Sequence, residues 1–589
     1  MKIVVFDFEV FRYDTLLGAI EITGDGKKLF QSWDLEEIKQ FYLDNEDSIW
    51  IGWNNQAYDN FILQAIVQGA PQNKIKAYSD QLIAQHIRGR LRMKLHSFDL
   101  MAQSKGYLSL KTTEAYDGHK ISESEVDFNL DRPLTKEEIL QTESYNRDDL
   151  NQTMHNLLDT GLWKDFELRL QIIEEFGLSF KALEYTGTQT AEVVLGAEKI
   201  EGIENMLVKP VLWPTLRLEN EQVKEFYLSE AFRRNEHIKI NVCGAEHTLG
   251  AGGIHAALRK YHADSALYFD VSGYYNLIMI LLDLLPRSIP KEGRERYKYM
   301  YHEQLRLKKI DPRKRAVYKT ILLSVFGAMM NEWCKFYDPQ QGLLVTVSGQ
   351  LYIIDLLEKL VGKIQVIQSN TDGVIVLPIN GTTEEEILAI INEWVERTGF
   401  VLKIEHIFDI HQRDVNCYIY NDDQGNSHSV GECFRQYLSA KEAWIIAECC
   451  KNYFSKHMLP EDTIKENMHN LKMFQFVCKK QSFDYMMYET EDLEGNKTST
   501  KLQNVNRVFA LKPTNYVGMV YKYKNEKKGV KKAKVSNLPD SVFVYNDEIL
   551  SDKAANELGE LIDWQYYADR AYERIATFYQ VPDFKELTI

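Results

Sequence analysis

The chain has 589 residues, 44% of them hydrophobic, with 33 tyrosines and 27 phenylalanines. These apolar side chains can fill several cores, so the sequence predicts a globular protein of more than one domain. It contains no apolar run of the length, roughly 18 residues, that a membrane-spanning helix needs, and it does not open with a signal-peptide pattern. A membrane protein is therefore not expected.

The formal net charge is −16. An acidic balance alone argues against nucleic-acid binding, because phosphate contacts need cations. Residues 306–315 and 522–535 are nevertheless dense in lysine and arginine, and an acidic protein can carry a basic cleft. Such runs also fit ordinary solvated surfaces. The seven cysteines include Cys449 and Cys450 but no C-x-x-C pair, which is typical of reduced thiols in a cytosolic protein.

The first predicted element is a buried strand over residues 2–10. It carries Asp7 and Glu9 on one side, because strand side chains alternate with a period of two. Acids in an apolar strand are costly unless they are paired or bind a metal ion. Residues 49–63 predict a strand, a turn at Asn54-Asn55 and a helix with Asp59 in its first turn.

A long helix is predicted over residues 134–159, where Tyr145 and Asp149 are four residues apart and share a face. Each of these patterns alone also fits helix caps and surface acids. Taken together and in order, they resemble the three exonuclease motifs of DnaQ-like 3′→5′ proofreading domains. The matched motifs are D-x-E (Asp7, Glu9), N-x-x-x-D (Asn55, Asp59) and Y-x-x-x-D (Tyr145, Asp149).

This resemblance implies a two-metal nuclease site. Four carboxylates would hold two Mg²⁺ ions, one to activate a water and one to stabilise the leaving 3′-oxygen; they are Asp7, Glu9, Asp59 and Asp149. Tyr145 would orient the attacking water. Lys111 resembles a lysine that some members place near the scissile phosphate, although a surface lysine is the simpler explanation.

Residues 266–279 predict an apolar strand ending in Asp270, a turn at Ser272-Gly273 and the start of a helix. A carboxylate at the end of a buried strand can hold a metal ion beside a phosphate. An aspartate in this position also caps helices, so the pattern alone leaves both explanations open.

Asp311 followed by Pro312 predicts the start of a helix over residues 312–333. The preceding stretch, 285–310, predicts a second helix that pairs with it. Four residues fall on one face of the later helix: Arg315, Lys319, Leu323 and Phe326.

Residues 364–368 and 373–378 predict two strands joined by a tight turn. The tip of this hairpin carries Asn370, Asp372 and Gly373. A second acid opposite Asp270 is what a two-metal site needs, and a cationic helical face aimed at two carboxylates suits a triphosphate with its Mg²⁺ ions.

These three stretches resemble motifs A, B and C of family B DNA polymerases, especially compact bacteriophage ones. Residues 270–276 are similar to D-x-x-S-L-Y-P, residues 319–327 to K-x-x-x-N-S-x-Y-G, and residues 370–373 to D-T-D-S. The departures from the family that bear on its chemistry are Asn276 for Pro, Leu323 for Asn, Phe326 for Tyr, and Asn370 for the first acid of motif C.

The resemblance implies that Asp270 and Asp372 hold two Mg²⁺ ions, with Mn²⁺ as a possible substitute. Tyr275 would exclude ribonucleotides by filling the space of a 2′-hydroxyl. The other implied nucleotide contacts are the Val271 carbonyl, Arg315, Lys319 as a catalytic cation, and Phe326 stacked on the nascent base pair.

Further DNA contacts are implied at two places. Gly252 and Gly253 stand where the family has its Y-x-G-G template loop, with Gly250 in place of the tyrosine. Arg413 and Tyr418 are the nearest equivalents of the K-x-Y primer motif. A plain glycine turn and an ordinary strand would explain these residues equally well.

The resemblance covers nearly the whole chain and implies an α/β and α+β multidomain fold. An RNase H-like exonuclease domain would be followed by a right-hand polymerase domain with palm, fingers and thumb. The implied boundaries are 1–165 for the exonuclease, 166–284 for a connection and the first part of the palm, 285–335 for the fingers, 336–433 for the second part of the palm, and 434–589 for the thumb, where residues 522–535 would grip duplex phosphates.

The implied function is DNA-directed DNA synthesis with 3′→5′ proofreading, replicating a phage genome in the cytoplasm of the infected bacterial host. The expected partners are DNA primer-template, dNTPs and phage replisome proteins such as a helicase, a single-strand binding protein and a clamp-like factor. Two alternatives stay open. One is a 3′→5′ exonuclease with a degenerate polymerase half that acts in repair or recombination, and the other is a non-catalytic replisome scaffold.

Overall fold

The computed structural model describes the whole chain except residues 1, 25, 86–90, 105, 205–207, 209, 211, 234, 437, 439–441, 515, 528 and 580–589. The protein is mixed α/β and divides into two compact units, in agreement with the predicted multidomain α/β class. Unit 1 comprises Met1–Glu184, Gln436–Ile446 and Ile464–Ala568; unit 2 comprises Tyr185–Arg435, Ala447–Thr463 and Asp569–Ile589.

Unit 1 begins with a five-stranded sheet in the order β3-β2-β1-β4-β5. The strands are β1 (Ile3–Val10), β2 (Thr15–Thr23), β3 (Gly26–Ser32), β4 (Ile49–Gly52) and β5 (His96–Asp99). The β1-β2 and β2-β3 pairs are antiparallel, whereas β1-β4 and β4-β5 are parallel. Almost all of β1 is buried, as its continuous apolar run predicts for a strand covered on both faces.

Seven helices accompany this sheet: α1 (Leu35–Asp44), α2 (Asp59–Val67), α3 (Gln72–Gln85), α4 (Leu100–Gln103), α5 (Leu110–Asp117), α6 (Lys136–Asp159) and α7 (Leu162–Phe176). Helix α6 starts at a capping box in which Thr135 and Glu138 satisfy each other's main-chain N–H groups, a standard start signal. The predicted helices at 59 and 134–159 are thus confirmed.

The main sheet of unit 2 has nine strands in the order β14-β13-β12-β9-β11-β10-β8-β7-β6. They are β6 (Ile238–Val242), β7 (Ala245–Leu249), β8 (His255–Ala257), β9 (Tyr261–Val271), β10 (Ile364–Asn370), β11 (Gly373–Pro378), β12 (Leu402–Asp414), β13 (Cys417–Asp422) and β14 (Ser427–Val430). The predicted hairpin is confirmed as β10-β11, and it pairs with β9 through β11.

The helices of this region are α8 (Gly187–Leu195), α9 (Glu221–Leu228), α10 (Glu230–Arg233), α11 (Tyr274–Leu281), α12 (Lys291–Arg306), α13 (Pro312–Ala328), α14 (Pro339–Lys359) and α15 (Glu384–Thr398). Helix α13 starts where predicted, because the Asp311 side chain accepts from the Lys314 N–H at 3.0 Å. Helix α12 starts after Pro290 and not at 285, since prolines 286 and 290 cannot lie inside a helix.

The last part of the chain has helices at both ends, as predicted, with two small sheets between them. The helices are α16 (Trp444–Lys456), α17 (Pro460–Asn467), α18 (Asp552–Gly559) and α19 (Trp564–Ala576). The strands are β15 (Phe476–Lys479), β16 (Tyr485–Asp492), β17 (Lys497–Leu502), β18 (Val505–Ala510), β19 (Tyr516–Glu526), β20 (Gly529–Lys534) and β21 (Val542–Val544). They pair in the orders β15-β18-β21 and β17-β16-β19-β20.

Residues 464–568 belong to unit 1 because they share a core with the N-terminal segment. The fully buried guanidinium of Arg507 donates to the main-chain carbonyls of Ala115 and His119 at 2.9 and 2.8 Å. The predicted thumb, 434–589, therefore contributes to both units; its last ten residues lie outside the described part of the chain. Among the described helices, none combines the length and apolarity needed to cross a bilayer.

Candidate active sites

The first candidate site lies on β1, where Asp7 and Glu9 meet Asp149 of α6. One carboxylate oxygen from each of the three lies within 4.8 Å of the others. Asp59, the first residue of α2, accepts a hydrogen bond from the Phe8 N–H at 3.2 Å and so joins them from the neighbouring element. The structure brings all four predicted carboxylates together.

A glycine lets α6 come this close to the sheet. Gly18 of β2 is directly opposite Asp7 of β1, and a Cβ at Gly18 would lie 1.7 Å from Oδ1 of Asn146. Asn146 donates in turn to Oδ2 of Asp7 at 3.0 Å. The small residue on β2 therefore allows α6 to deliver both Asn146 and Asp149 to the acids of β1.

Burial and mutual repulsion disfavour the charged form of these acids. Burial raises the pKa of Asp7 and of Glu9 well above the usual range, and the neighbouring carboxylates raise both further. Burial also raises the pKa of Asp59 to about 7 and raises that of Asp149. Such a cluster fits divalent cations, which supply the compensating positive charge that buried carboxylates need.

Lys111 places a positive charge beside these acids. Its Nζ contacts Asp149 and Glu114, the latter at 2.9 Å, and it lies 4.5 Å from the centre of the Tyr145 ring. The lysine side chain is only 13% exposed, so its interpretation as a surface lysine is wrong. The Lys111 side chain extends from α5 toward α6. The sequence around Lys111 contains no pattern that indicates this orientation.

Tyr145 lies beside the acids and remains a neutral donor. Burial raises the pKa of its hydroxyl, and the charges of Asp149, Glu9 and Asp7 raise it further. A protonated phenol next to carboxylates can hold a water or a ligand oxygen by hydrogen bonding.

Asn55 has a different setting. Its Nδ2 donates to Asn60 Oδ1 at 3.1 Å and to Ser97 Oγ at 2.9 Å. The same turn is held by Asp99, whose carboxylate accepts from the N–H groups of Asn54 and Gln56 at 3.0 and 3.2 Å. Asn55 thus fixes the turn that starts α2, and any direct contact with substrate stays a prediction.

The second candidate site lies where β9 ends against the tip of the β10-β11 hairpin. Gly373 is directly opposite Asp270, and the Val271 N–H donates to the Asp372 carbonyl at 3.0 Å. A Cβ at Gly373 would lie 2.6 Å from the Tyr268 hydroxyl, so any larger residue there would displace the Tyr268 ring. Asp270 and Asp372 are thereby neighbours, as predicted.

Burial raises the pKa of Asp372, and the charge of Asp270 raises it further. The two carboxylates are therefore close enough to repel each other, which a shared cation would relieve. Two carboxylates and the main-chain carbonyl at Val271 are hard oxygen donors of the kind that Mg²⁺ prefers.

Cations gather beside this pair. The positive charge of Lys403, and less strongly that of Arg315, lowers the pKa of Lys308. Lys403 of β12 is directly opposite Asp270 of β9. Sequence reasoning missed Lys403, because it lies in an alternating strand with no motif around it.

The face of α13 that was predicted to be cationic is partly exposed to solvent. Lys319 and Leu323 are exposed, and Lys319 forms no ion pair within the described residues. The Nε of Arg315 is buried and has no hydrogen-bond partner among them. Unpaired cations next to each other favour a ligand with several negative charges.

Tyr275 lies between this helix and the hairpin tip. Its ring centre is 4.3 Å from that of Phe326, it hydrogen-bonds to Thr371, and burial together with the charge of Asp372 raises its pKa to about 12. Tyr274 is instead 2% exposed and donates to the Gly349 carbonyl at 2.6 Å. Of the two tyrosines, Tyr275 is the one that faces the site.

The glycine loop of residues 250–254 packs against the same hairpin tip. The Gly252 carbonyl accepts from Gln350 Nε2 at 2.5 Å, and a Cβ at Gly253 would lie 2.8 Å from Thr371 Oγ1. The loop is therefore beside the acids, and its contact with a template stays a prediction.

The implied primer motif is less accessible. Tyr418 is buried, at 9% exposed, and its hydroxyl bonds to Gln368. Arg413 donates to Asp414 and Glu432, each at 2.7 Å. Both side chains are engaged within the protein, and their DNA contacts stay predictions.

Comparisons with known proteins do not assign a family. No protein-family model matches the sequence, and no curated protein matches it. Among solved structures, the family B DNA polymerase from the hyperthermophilic archaeon Pyrobaculum calidifontis is similar at a TM-score of 0.43 and 13% identity, over 99% of this chain and 78% of that one. A likeness of this size carries no weight for family or activity.

Proposed function

We propose that the chain is a template-directed DNA polymerase of the family B type with a 3′→5′ proofreading exonuclease. The observation that supports this most strongly is the occurrence of two separate acid sites, one in each unit, each beside the side chains that its chemistry needs. One site has four carboxylates and a tyrosine, and the other has two carboxylates and a group of cations.

The exonuclease reaction uses the site on β1. Asp7, Glu9, Asp59 and Asp149 would hold two Mg²⁺ ions; when bound, these would supply the positive charge that activates a water and stabilises the leaving 3′-oxygen. The Tyr145 hydroxyl hydrogen-bonds the attacking water and sets its direction. The sheet order β3-β2-β1-β4-β5, with β2 antiparallel to its neighbours, supports the RNase H-like part of this proposal.

Synthesis uses the site at the hairpin tip. Asp270 and Asp372, with the Val271 carbonyl, would hold two Mg²⁺ ions; when bound, these would supply the positive charge that favours attack of the primer 3′-hydroxyl on the α-phosphate and departure of pyrophosphate. The triphosphate binds the cations of α13 and its surroundings, which are Lys308, Arg315, Lys319 and Lys403.

The aromatic pair positions the incoming nucleotide. Tyr275 packs under the sugar, where its ring leaves no space for a 2′-hydroxyl, and Phe326 stacks against the new base pair. The contact between the two rings supports this division of roles, because each ring buttresses the other.

The remaining parts of the proposal concern how the DNA duplex is bound and where the protein works. The duplex is gripped by the β19-β20 hairpin, on which Lys524 and Lys531 are exposed and directly opposite each other. Lys532 and Lys534 of the same run pair with Glu489 and Asp540, and Lys528 lies outside the described residues. A phage genome as the template, replisome partners and the host cytoplasm belong to this proposal too.

A second candidate is an exonuclease whose polymerase half is degenerate. The observation that favours it is Leu323, 60% exposed on α13 where the polymerase motif has an amide that can donate to a phosphate. Asn370, which removes one acid from the hairpin tip, points the same way.

A primer-extension gel distinguishes the candidates. The full chain is incubated with a labelled primer-template and Mg²⁺, with and without dNTPs. We expect lengthening with dNTPs and shortening without them. Shortening in both reactions favours the nuclease, and no change in either overturns both proposals. Asp372→Asn and the Asp7→Ala, Glu9→Ala double variant are the controls that assign each activity to its site.

A further inference from the structure

Strands β9 and β12 lie side by side, and one end of the pair is far from Asp270. At that end, three histidines surround one aspartate. His262 of β9 and His411 of β12 are directly opposite each other. Their Nε2 atoms lie 3.0 and 2.9 Å from the same atom, Oδ1 of Asp409. His457, which follows α16, places its Nε2 3.7 Å from the other oxygen, Oδ2.

This cluster is separate from the proposed polymerase site. His262 precedes Asp270 by eight residues on the same strand (270 − 262), a distance of about 26 Å at the rise of a strand. Nothing in the synthesis or nuclease chemistry uses these four side chains.

The backbone at Asp409 is arranged for this convergence. Asp409 has a φ of +51°, in the left-handed region that side chains other than glycine rarely adopt. It lies at the irregularity in the β12-β13 register between Phe408 and His411. Bulges of this kind re-aim a side chain, and strained residues persist where the surrounding structure holds a functional group in place.

The aspartate has unused capacity to bind. Its Oδ2 is buried and accepts no hydrogen bond from any described residue. A buried carboxylate oxygen without a partner is costly. A cation bound by this carboxylate, among His457 and the two stacked imidazoles, would satisfy it.

The separations fit a tetrahedral ion. Bonds of about 2.0 Å to nitrogen and oxygen place neighbouring ligand atoms about 3.3 Å apart. The Nε2 atoms of His262 and His411 lie 3.0 and 2.9 Å from Oδ1 of Asp409, and that of His457 lies 3.7 Å from Oδ2. The candidate atoms of His262, Asp409 and His411 all lie within 4.8 Å of one another. Imidazoles with one carboxylate suit Zn²⁺ and its neighbours among the transition metals, whereas Mg²⁺ prefers oxygen donors throughout.

We propose that His262, Asp409, His411 and His457 bind a divalent transition-metal ion of the zinc class. All four lie in unit 2. The ion has a structural role, because it ties the segment after α16 to strands β9 and β12 and leaves no coordination position for a substrate.

Cobalt titration tests the proposal, since Co²⁺ takes the place of Zn²⁺ and its visible absorption reports tetrahedral coordination. The chelator-treated full chain is titrated with Co²⁺. We expect one equivalent to give intense tetrahedral bands that Zn²⁺ abolishes. His262→Ala with His411→Ala should lose the bands, and His457→Ala should weaken Co²⁺ binding at least about 10-fold, because even groups outside the coordination shell are worth that much.

The matched control is His428→Ala. His428 also hydrogen-bonds an aspartate, Asp422, at 2.8 Å, but it belongs to a pair with a single histidine. This variant should keep the cobalt bands. Binding of Co²⁺ by the carboxylate sites is common to all variants and cancels in the difference spectra. Identical spectra for the double variant and the wild type overturn the proposal.

A second measurement needs no variant and so does not depend on the folding of one. The wild-type chain is treated with diethyl pyrocarbonate with and without Zn²⁺, and the modified histidines are mapped by mass spectrometry. Zn²⁺ should protect His262, His411 and His457 but not His428. Equal modification of all four with and without Zn²⁺ contradicts the proposal.

Discussion

The two acid sites differ in their balance of charge. The site on β1 sets four acids, with Glu114 beside them, against Lys111. The site at the hairpin tip sets two acids against a group of cations around Lys308 and Lys403. An excess of buried negative charge attracts divalent cations whether or not a substrate is present. A site in which cations outnumber acids is completed by an anionic ligand, and a nucleoside triphosphate with its Mg²⁺ is such a ligand.

The largest expected effect separates the two sites completely. Asp7→Ala with Glu9→Ala should lower degradation of single-stranded DNA about a thousandfold and leave synthesis unchanged, while Asp372→Asn should do the reverse. Removing a metal ligand has consequences of this size. Both rates are measured on one labelled primer-template at saturating Mg²⁺. If the double variant remains folded and loses synthesis as well, the assignment of one activity to each site is wrong.

The next largest effect is expected from a substitution that disturbs the packing of the first site without removing a catalytic group. Gly18→Ala places a methyl group where Asn146 now lies, so α6 must move away from β1. We expect degradation to fall at least about 10-fold, because small displacements of catalytic groups are costly, while synthesis persists. Gly24→Ala is the matched control, since a Cβ there meets nothing within 4 Å. Equal nuclease rates for the two variants would show that the close approach of α6 is dispensable.

Much of both sites was predictable from the sequence, because their acids lie on short, regular elements. The period of two places Asp7 and Glu9 on one side of β1, and a spacing of four places Tyr145 and Asp149 on one face of α6. The turn-forming residues between two apolar runs likewise predict the β10-β11 hairpin.

The missed residues depend on tertiary packing. Lys111 joins the first site only because α5 lies against α6, and Lys403 joins the second only through the β9-β12 register. The histidine cluster also could not be predicted, since His262, Asp409 and His457 are far apart in sequence. The prolines at 286 and 290 delay α12, a local signal that the prediction of a helix from residue 285 overlooked.

The second site is also expected to discriminate between ribonucleotides and deoxynucleotides through Tyr275. Tyr275→Ala should raise the ratio of ribonucleotide to deoxynucleotide incorporation about 10-fold or more, because the ring that fills the space of the 2′-hydroxyl is gone. Tyr274→Phe is the control, which removes a buried hydrogen bond to Gly349 but no ring. The ratio is measured by steady-state single-nucleotide incorporation. A ratio unchanged in Tyr275→Ala, or raised equally in Tyr274→Phe, would rule out Tyr275 as the selecting residue.

The charge excess of the first site predicts a pH dependence of stability. Because burial raises the folded-state pKa of Asp59 to about 7, the folded protein binds more protons than the unfolded one between the ordinary aspartate pKa of about 4 and pH 7. Stability should therefore fall as pH rises through this window. We expect the Tm of the chelated protein to be on the order of 5 °C lower at pH 8 than at pH 5, and Mg²⁺ to remove most of the difference.

Asp59→Asn tests the origin of that slope. It removes one titrating group, so the variant should show a smaller difference in Tm between pH 5 and pH 8 without Mg²⁺. Asp131, an exposed aspartate paired with Arg12, gives the matched control Asp131→Asn. If the two variants have the same slope, the acid cluster on β1 is not its source.

The smallest effect is expected at Asn370, where the hairpin departs most clearly from the polymerase motif. Asn370 is directly opposite His255 of β8, and the two side chains share a hydrogen bond. Asn370→Asp keeps an oxygen for that bond and adds one charge at the rim of the site. Because interactions between exposed charges are worth only about 0–1 kcal/mol, synthesis should change by no more than about 5-fold. Asp372→Asn, measured beside it at saturating Mg²⁺, removes a charge that faces Asp270. If Asn370→Asp lowers the extension rate as much as Asp372→Asn does, both positions lie equally close to the reacting phosphate, and Asp372 is not the principal ligand at the tip.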